Sequence, residues 1–168
     1  DNSINNRSSF IQIAGVSNVS SISAGNRYSY ILKNDGLVFS CGLNDYGQLG
    51  DNTIIDKSTF VQALGASNIV AISANYSHTL ALRADGLVFA TGRNNAGQLG
   101  INTTINRSTF TQCIGLSNMI AVAAGSYHSV ALRSDGLVFA CGYNSTVNPA
   151  IGDNTAIDKS TFVQSIGV

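Results

Sequence analysis

Residues 75–100, NYSHTLALRADGLVFATGRNNAGQLG, decide how this chain folds, because nearly the same string recurs fifty residues to either side. Phe10, Phe60, Phe110 and Phe162 mark the recurrence with spacings of 50, 50 and 52, and Gly36, Gly86 and Gly136 with spacings of 50 and 50. An internal period of this length signals a solenoid, a propeller or an array, and it outranks any local motif.

Within the unit, Ser77 to Arg83 and Leu87 to Gly92 are short runs of β-formers separated by Ala84, Asp85 and Gly86. Asp-Gly between two apolar runs predicts a hairpin whose turn needs positive φ, which Gly adopts without strain and Asp tolerates better than most residues. The device recurs at Asp35-Gly36 and Asp135-Gly136. Upstream, Ile69 to Ala74 (IVAISA) reads as a third strand, apolar enough to predict burial on both faces. Its counterparts are Val19 to Ala24 and Ile120 to Ala124. A fourth strand is expected at Thr109 to Ile114, Phe60 to Leu64 and Phe162 to Ile166. No stretch shows the sustained three-and-four spacing of a helix.

Four short strands in each unit of about fifty residues, joined by Gly and Asn turns, describe an all-β chain and fit propeller blades. AAGSYHSVALRSDGLVFACGYN at 123–144 and GRNNAGQLG at 92–100 then carry a resemblance to the repeat of the regulator of chromosome condensation family. That resemblance runs along almost the whole chain and implies about three blades of a seven-bladed β-propeller. Three departures stand out. Where the family often has Trp before the strand-ending Gly, this chain has Cys41, Thr91 and Cys141. The third unit replaces Gly-Gln-Leu-Gly by residues 147–152, VNPAIG, a two-residue insertion. The first unit has Tyr28 in place of His78 and His128.

The units are read as 1–50, 51–100, 101–152 and the opening of a fourth at 153–168. On this reading the segment is an excerpt of a longer array. Its outermost blade faces then need flanking blades or self-association to cover them. Nine basic and nine acidic residues, every acid an Asp, leave a net charge of zero, without the basic excess of a dominant nucleic-acid binder. No run is long and apolar enough to predict a membrane span or a signal peptide.

Asn, Ser and Thr crowd the connections, where Asn mimics backbone turns. They create several N-x-Ser/Thr triplets, including those at Asn18, Asn75, Asn102 and Asn144, with no secretory signal beside them. The three cysteines, Cys41, Cys113 and Cys141, show neither disulfide nor metal spacing; they are expected as small core thiols, and their odd number favours a reducing, intracellular setting. No cofactor and no metal is expected. His78 and His128, beside Ser77 and Ser129, repeat with the fold, which predicts a structural hydrogen bond and no catalytic role.

Positions that differ between units are the better guide to recognition, since a residue needed by the fold repeats. The differing places lie at strand ends and in the loop after the third strand, and Tyr and Arg are favoured interface anchors. Tyr46, Tyr76, Arg93 and Tyr143 are therefore the candidate partner contacts. A second candidate surface is a basic rim of Arg7, Lys57, Arg107 and Lys159, one in each connection, each expected to pair with a nearby carboxylate such as Asp56 or Asp158. The leading expectation is a non-enzymatic protein-binding or scaffold propeller with an unnamed protein partner. The family resemblance adds guanine-nucleotide exchange on a small GTPase. The turn-rich, low-charge composition allows a structural array in a surface or particle assembly.

Overall fold

The computed structural model describes residues 5, 6 and 8–166. They form twelve strands in three four-stranded antiparallel sheets. Sheet one holds β1 (Val19–Ala24), β2 (Tyr28–Lys33), β3 (Val38–Gly42) and β4 (Lys57–Gln62). Sheet two holds β5 (Ile69–Ala74), β6 (His78–Arg83), β7 (Val88–Gly92) and β8 (Arg107–Gln112). Sheet three holds β9 (Met119–Ala124), β10 (His128–Arg133), β11 (Val138–Gly142) and β12 (Lys159–Gln164). Strands follow chain order within each sheet. The inner strands β1, β5 and β9 pack side by side, so the sheets fan out as successive propeller blades.

The fourth strands begin earlier than expected, at Lys57, Arg107 and Lys159, because Gly42, Gly92 and Gly142 pair with those residues and set the register. Each sheet thus straddles a boundary between sequence units.

Hydrophobic contact lies between sheets, in two layers. Tyr30, Leu32 and Val38 of the first sheet meet Ala81, Phe89 and Phe110 of the second. Leu80, Leu82 and Val88 of the second meet Met119, Ala131, Cys141 and Phe162 near or within the third. Alternation along β6 therefore sends Leu80 one way and Ala81 the other, and both are fully buried. Each such Leu contributes about 2 kcal/mol through burial. Phe10, by contrast, is fully exposed although it marks the same repeat.

One expectation fails at the inner strands. Val70 of β5 is 55% exposed and Ile120 of β9 57% exposed, so IVAISA and its counterpart are not buried on both faces. These strands form the inner edge of each sheet, where alternate side chains point away from the layers between sheets.

The hairpins form as the Asp-Gly pairs predict, with a refinement. Only the glycines take positive φ, 78° at Gly36, 81° at Gly86 and 91° at Gly136. The preceding Asp instead accepts a hydrogen bond at its side chain from the second residue on, as Leu37 N does to Asp35 (3.1 Å) and Leu137 N to Asp135 (3.2 Å). The turn closes through Gly86 N to the Arg83 carbonyl (2.9 Å), the three-residue loop in which glycine follows a tight turn.

Candidate functional site

At the opposite end of the sheets from these hairpins lie two connections per blade: a short one between first and second strands, and a long one after the third. The long connection is organised by a buried asparagine. Asn94 receives Leu99 N at its Oδ1 (2.9 Å) and donates Nδ2 to the carbonyls of Thr103 (2.8 Å) and Ile105 (3.1 Å). Asn44 and Asn144 do the same in their own blades. These hubs hold the loops that carry the recognition candidates. Sequence reasoning passed over them, though recurrence at 44, 94 and 144 was a signal for them. Asn144, buried with its amide nitrogen so engaged, is also no glycosylation acceptor in the folded chain.

Three of the four candidate contacts and one residue not singled out come together on this rim. The Arg93 guanidinium carbon lies over the Tyr46 ring at 5.0 Å and over the Tyr127 ring at 5.3 Å. Tyr127 in turn meets Tyr76 with ring centroids 5.3 Å apart. Tyr143, the fourth candidate, lines a cleft of about 740 Å³ together with Arg93, Tyr127 and His128. The cleft lies between loops of the second and third blades, and Tyr76, Tyr127 and Tyr143 are each exposed along this surface. Tyr127 was missed although its counterparts, Arg27 and Ser77, differ from it and from each other, the same signal by which the other candidates were chosen.

Lys57, Arg107 and Lys159 start the outer strands at this same end, farther from the inner edge; Arg7 lies outside the described residues. Their expected ion pairs are corrected. Lys57 Nζ sits 3.3 Å from Asp51 and Lys159 Nζ 3.0 Å from Asp153. Asp56 and Asp158 are occupied otherwise, accepting from the backbone N–H of Asn44 (2.8 Å) and Asn144 (2.7 Å). Where Asp51 would recur the third unit has Ile101, so Arg107 lacks that partner.

His78 Nε2 does lie 2.9 Å from Ser129 Oγ, the spacing of a nucleophile and its base. Both are completely buried, Ser129 donates its proton to the Gln98 carbonyl (2.7 Å), and His78 Nδ1 has no hydrogen-bond partner among the described residues. Burial, together with the charge of His128, holds the His78 pKa down at about 4. The pair staples two blades and offers no route to a substrate. In the first blade Tyr28 performs the same service, its hydroxyl donating to the His78 carbonyl (2.7 Å) and accepting from Thr79, the counterpart of Ser129. All three cysteines are free, with Cys113 and Cys141 buried and their thiol pKa values raised by that burial. Among the described residues no three His, Cys, Asp or Glu side chains gather as a metal site, and no helix is long and apolar enough to cross a membrane.

The regulator of chromosome condensation (RCC1) repeat matches residues 35–82 and 85–132, and a second form of the same repeat matches 19–48, 69–98 and 119–146. The chain belongs to this family. Solved RCC1-type propellers share its fold. Prp20p from Saccharomyces cerevisiae, described with its binding to Gsp1p and histones, is 24% identical, with a TM-score of 0.77 over 92% of this chain and 40% of its own. Yeast RCC1 (Prp20) with Kap60 bound gives 23% identity and a TM-score of 0.79 over 92% of this chain and 38% of the other. Human WBSCR16 gives 24% identity and 0.76 over 87% of this chain and 37% of its own. The chain thus spans about two fifths of the length of these structures. A comparison with curated protein sequences returned no match.

Proposed function

We propose that this RCC1-repeat chain is a non-enzymatic protein-binding platform whose partner docks on the rim patch of Tyr46, Tyr76, Arg93, Tyr127 and Tyr143. The observation that supports it is convergence. Residues chosen because they do not repeat, drawn from separate blades, join through Tyr127 into one cation and aromatic cluster beside a cleft, whereas unselected loop drift has no reason to assemble them. Tyrosine offers large, stiff contact area with a polar tip, and arginine adds directional donors.

The test is capture of partners by the full-length protein, followed by titration of Tyr76→Ala and Tyr127→Ala against the partner found. Each substitution is expected to weaken capture by about 1 to 3 kcal/mol while leaving the unfolding midpoint nearly unchanged. Unchanged affinity in both would remove this patch from the interface and turn attention to Lys57, Arg107 and Lys159.

A second reading, regulation of a small GTPase, draws support from the likeness to Prp20p, described as binding Gsp1p. Its assay is release of labelled nucleotide from a small GTPase. Acceleration that the same tyrosine substitutions abolish would make exchange the function of the patch.

A further inference from the structure

Among the described residues three arginines stack on aromatic rings, and at two of them the chain supplies the anion. Arg83 lies over Phe89 at 4.9 Å and grips Asp85 with two hydrogen bonds, Nε at 2.9 Å and Nη2 at 2.8 Å. Arg133 lies over Phe139 at 4.8 Å and grips Asp135 in the same way, at 3.0 and 2.9 Å. In each case the carboxylate comes two residues after the arginine. Stacking fixes the plane of the guanidinium, and its edge is then set to take a carboxylate through two parallel bonds.

Arg93 repeats the arrangement with one change. Two rings, Tyr46 and Tyr127, face its guanidinium, and the residue two positions on is Asn95. The neutral amide accepts from Nε at 2.9 Å and leaves the charge uncompensated. Among the described residues no carboxylate lies within 4.0 Å of Arg93. The cleft beside it, about 740 Å³, has no acidic residue in its lining, while Tyr127, Tyr143 and Ala150 give it apolar walls.

We propose that the cleft beside Arg93 receives the side-chain carboxylate of an aspartate or glutamate carried on a peptide segment of the protein partner. The guest carboxylate supplies the charge that Asp85 and Asp135 supply at the other two arginines, bonding the Arg93 Nη groups while Asn95 keeps Nε, and an apolar neighbour of the guest lies on Tyr127 and Tyr143. This identity of the guest rests on the rim patch being the interface.

The experiment uses the full chain and three fluorescein-labelled probes followed by anisotropy. They are the C-terminally amidated peptide Gly-Phe-Glu-Phe-Gly, its twin with Gln in place of Glu, and that Gln twin with a free C-terminal carboxylate. The Glu peptide is expected to bind about tenfold more tightly than either Gln peptide, as a paired charge-assisted bond requires. Asn95→Asp, which gives Arg93 its own carboxylate as at Arg83, is expected to bring the Glu peptide down to the Gln level with the unfolding midpoint unchanged. Arg133→Gln is expected to leave binding as it was.

Equal binding of the Glu and Gln peptides, no binding of any probe at millimolar concentration, or full retention in Asn95→Asp would each overturn the proposal. Binding of the free-terminus Gln probe as tightly as the Glu probe would overturn it in favour of a chain terminus. Loss of full-length partner in Tyr76→Ala, with none in Asn95→Asp, would keep the rim patch and remove the carboxylate.

Discussion

His78 of the second blade places its Nε2 2.9 Å from Ser129 Oγ of the third, and this contact joins two blades through a histidine that burial keeps neutral. Burial holds its pKa at about 4, with the His128 charge acting in the same direction. The folded value lies below the unfolded value of about 6.5, so the unfolded chain binds more protons throughout the interval between them. Stability from this group is complete above pH ~6.5 and is lost as pH falls towards 4. Between pH 7 and 5 the loss is expected to be about 2 kcal/mol, read from urea unfolding midpoints. His78→Gln should flatten that interval, and an equally steep fall in the variant would show that other groups carry it.

Asn94 tests whether the loop hubs are needed. Its side chain serves Leu99 N and the carbonyls of Thr103 and Ile105, all inside a connection that lacks regular structure. Asn94→Ala strands these groups in a buried place, at a cost of about 3 kcal/mol. Asn95→Ala, one residue along and exposed, should change stability by less than about 0.5 kcal/mol. Thermal unfolding of the two side by side settles the matter, and similar losses would remove the hub.

The hairpins and strand β5 were legible because they depend on neighbours in sequence: Asp-Gly sets the turn, and the ends of IVAISA coincide with those of β5. The exposure of Val70 was not legible, since it follows from β5 being the inner edge of a sheet, a fact about topology. The same holds for the rim. Tyr46, Tyr76, Arg93 and Tyr143 could be found by comparing units, but the stacking of Arg93 on Tyr127 crosses blades and no local pattern records it. The ion pairs went astray for a related reason: Asp56 stands next to Lys57 in sequence, yet extended backbone turns neighbouring side chains apart and the loop folds Asp51 back instead.

That misreading gives a prediction about Asp51. Burial pushes its pKa up, but bonds from Thr53, Lys57 and Asn44 outweigh this and hold it below the usual carboxylate range. Lys57→Met removes one partly exposed partner of several and should cost no more than about 1 kcal/mol. Asp51→Ala removes the acceptor shared by the Asn44 hub and Thr53 N, and should cost about 2 kcal/mol. Denaturant titrations that reverse this order would show the lysine to be the principal member.

The hairpin glycines provide an internal control for blade packing. Gly36, Gly86 and Gly136 share positive φ, so an alanine at any of them meets a backbone strain of about 1 to 2 kcal/mol. Their surroundings differ. A Cβ at Gly86 would stand 2.8 Å from Asn118 Cα and 2.9 Å from Met119 N, backbone atoms at the entrance to the next blade, while a Cβ at Gly136 meets nothing within 4 Å. Gly86 also accepts a hydrogen bond at its carbonyl from Met119 N (3.0 Å), so a shift to relieve the clash pulls on the contact that seats the third blade on the second. Gly136→Ala should therefore cost about 1 to 2 kcal/mol, and Gly86→Ala at least about 1 kcal/mol more. Gly36→Ala should fall nearer the Gly86 value, because its Cβ would stand 2.9 Å from Asn68 Cα. Equal losses in all three variants, measured by denaturant unfolding, would mean that φ alone governs these turns and that the hairpins do not brace neighbouring blades.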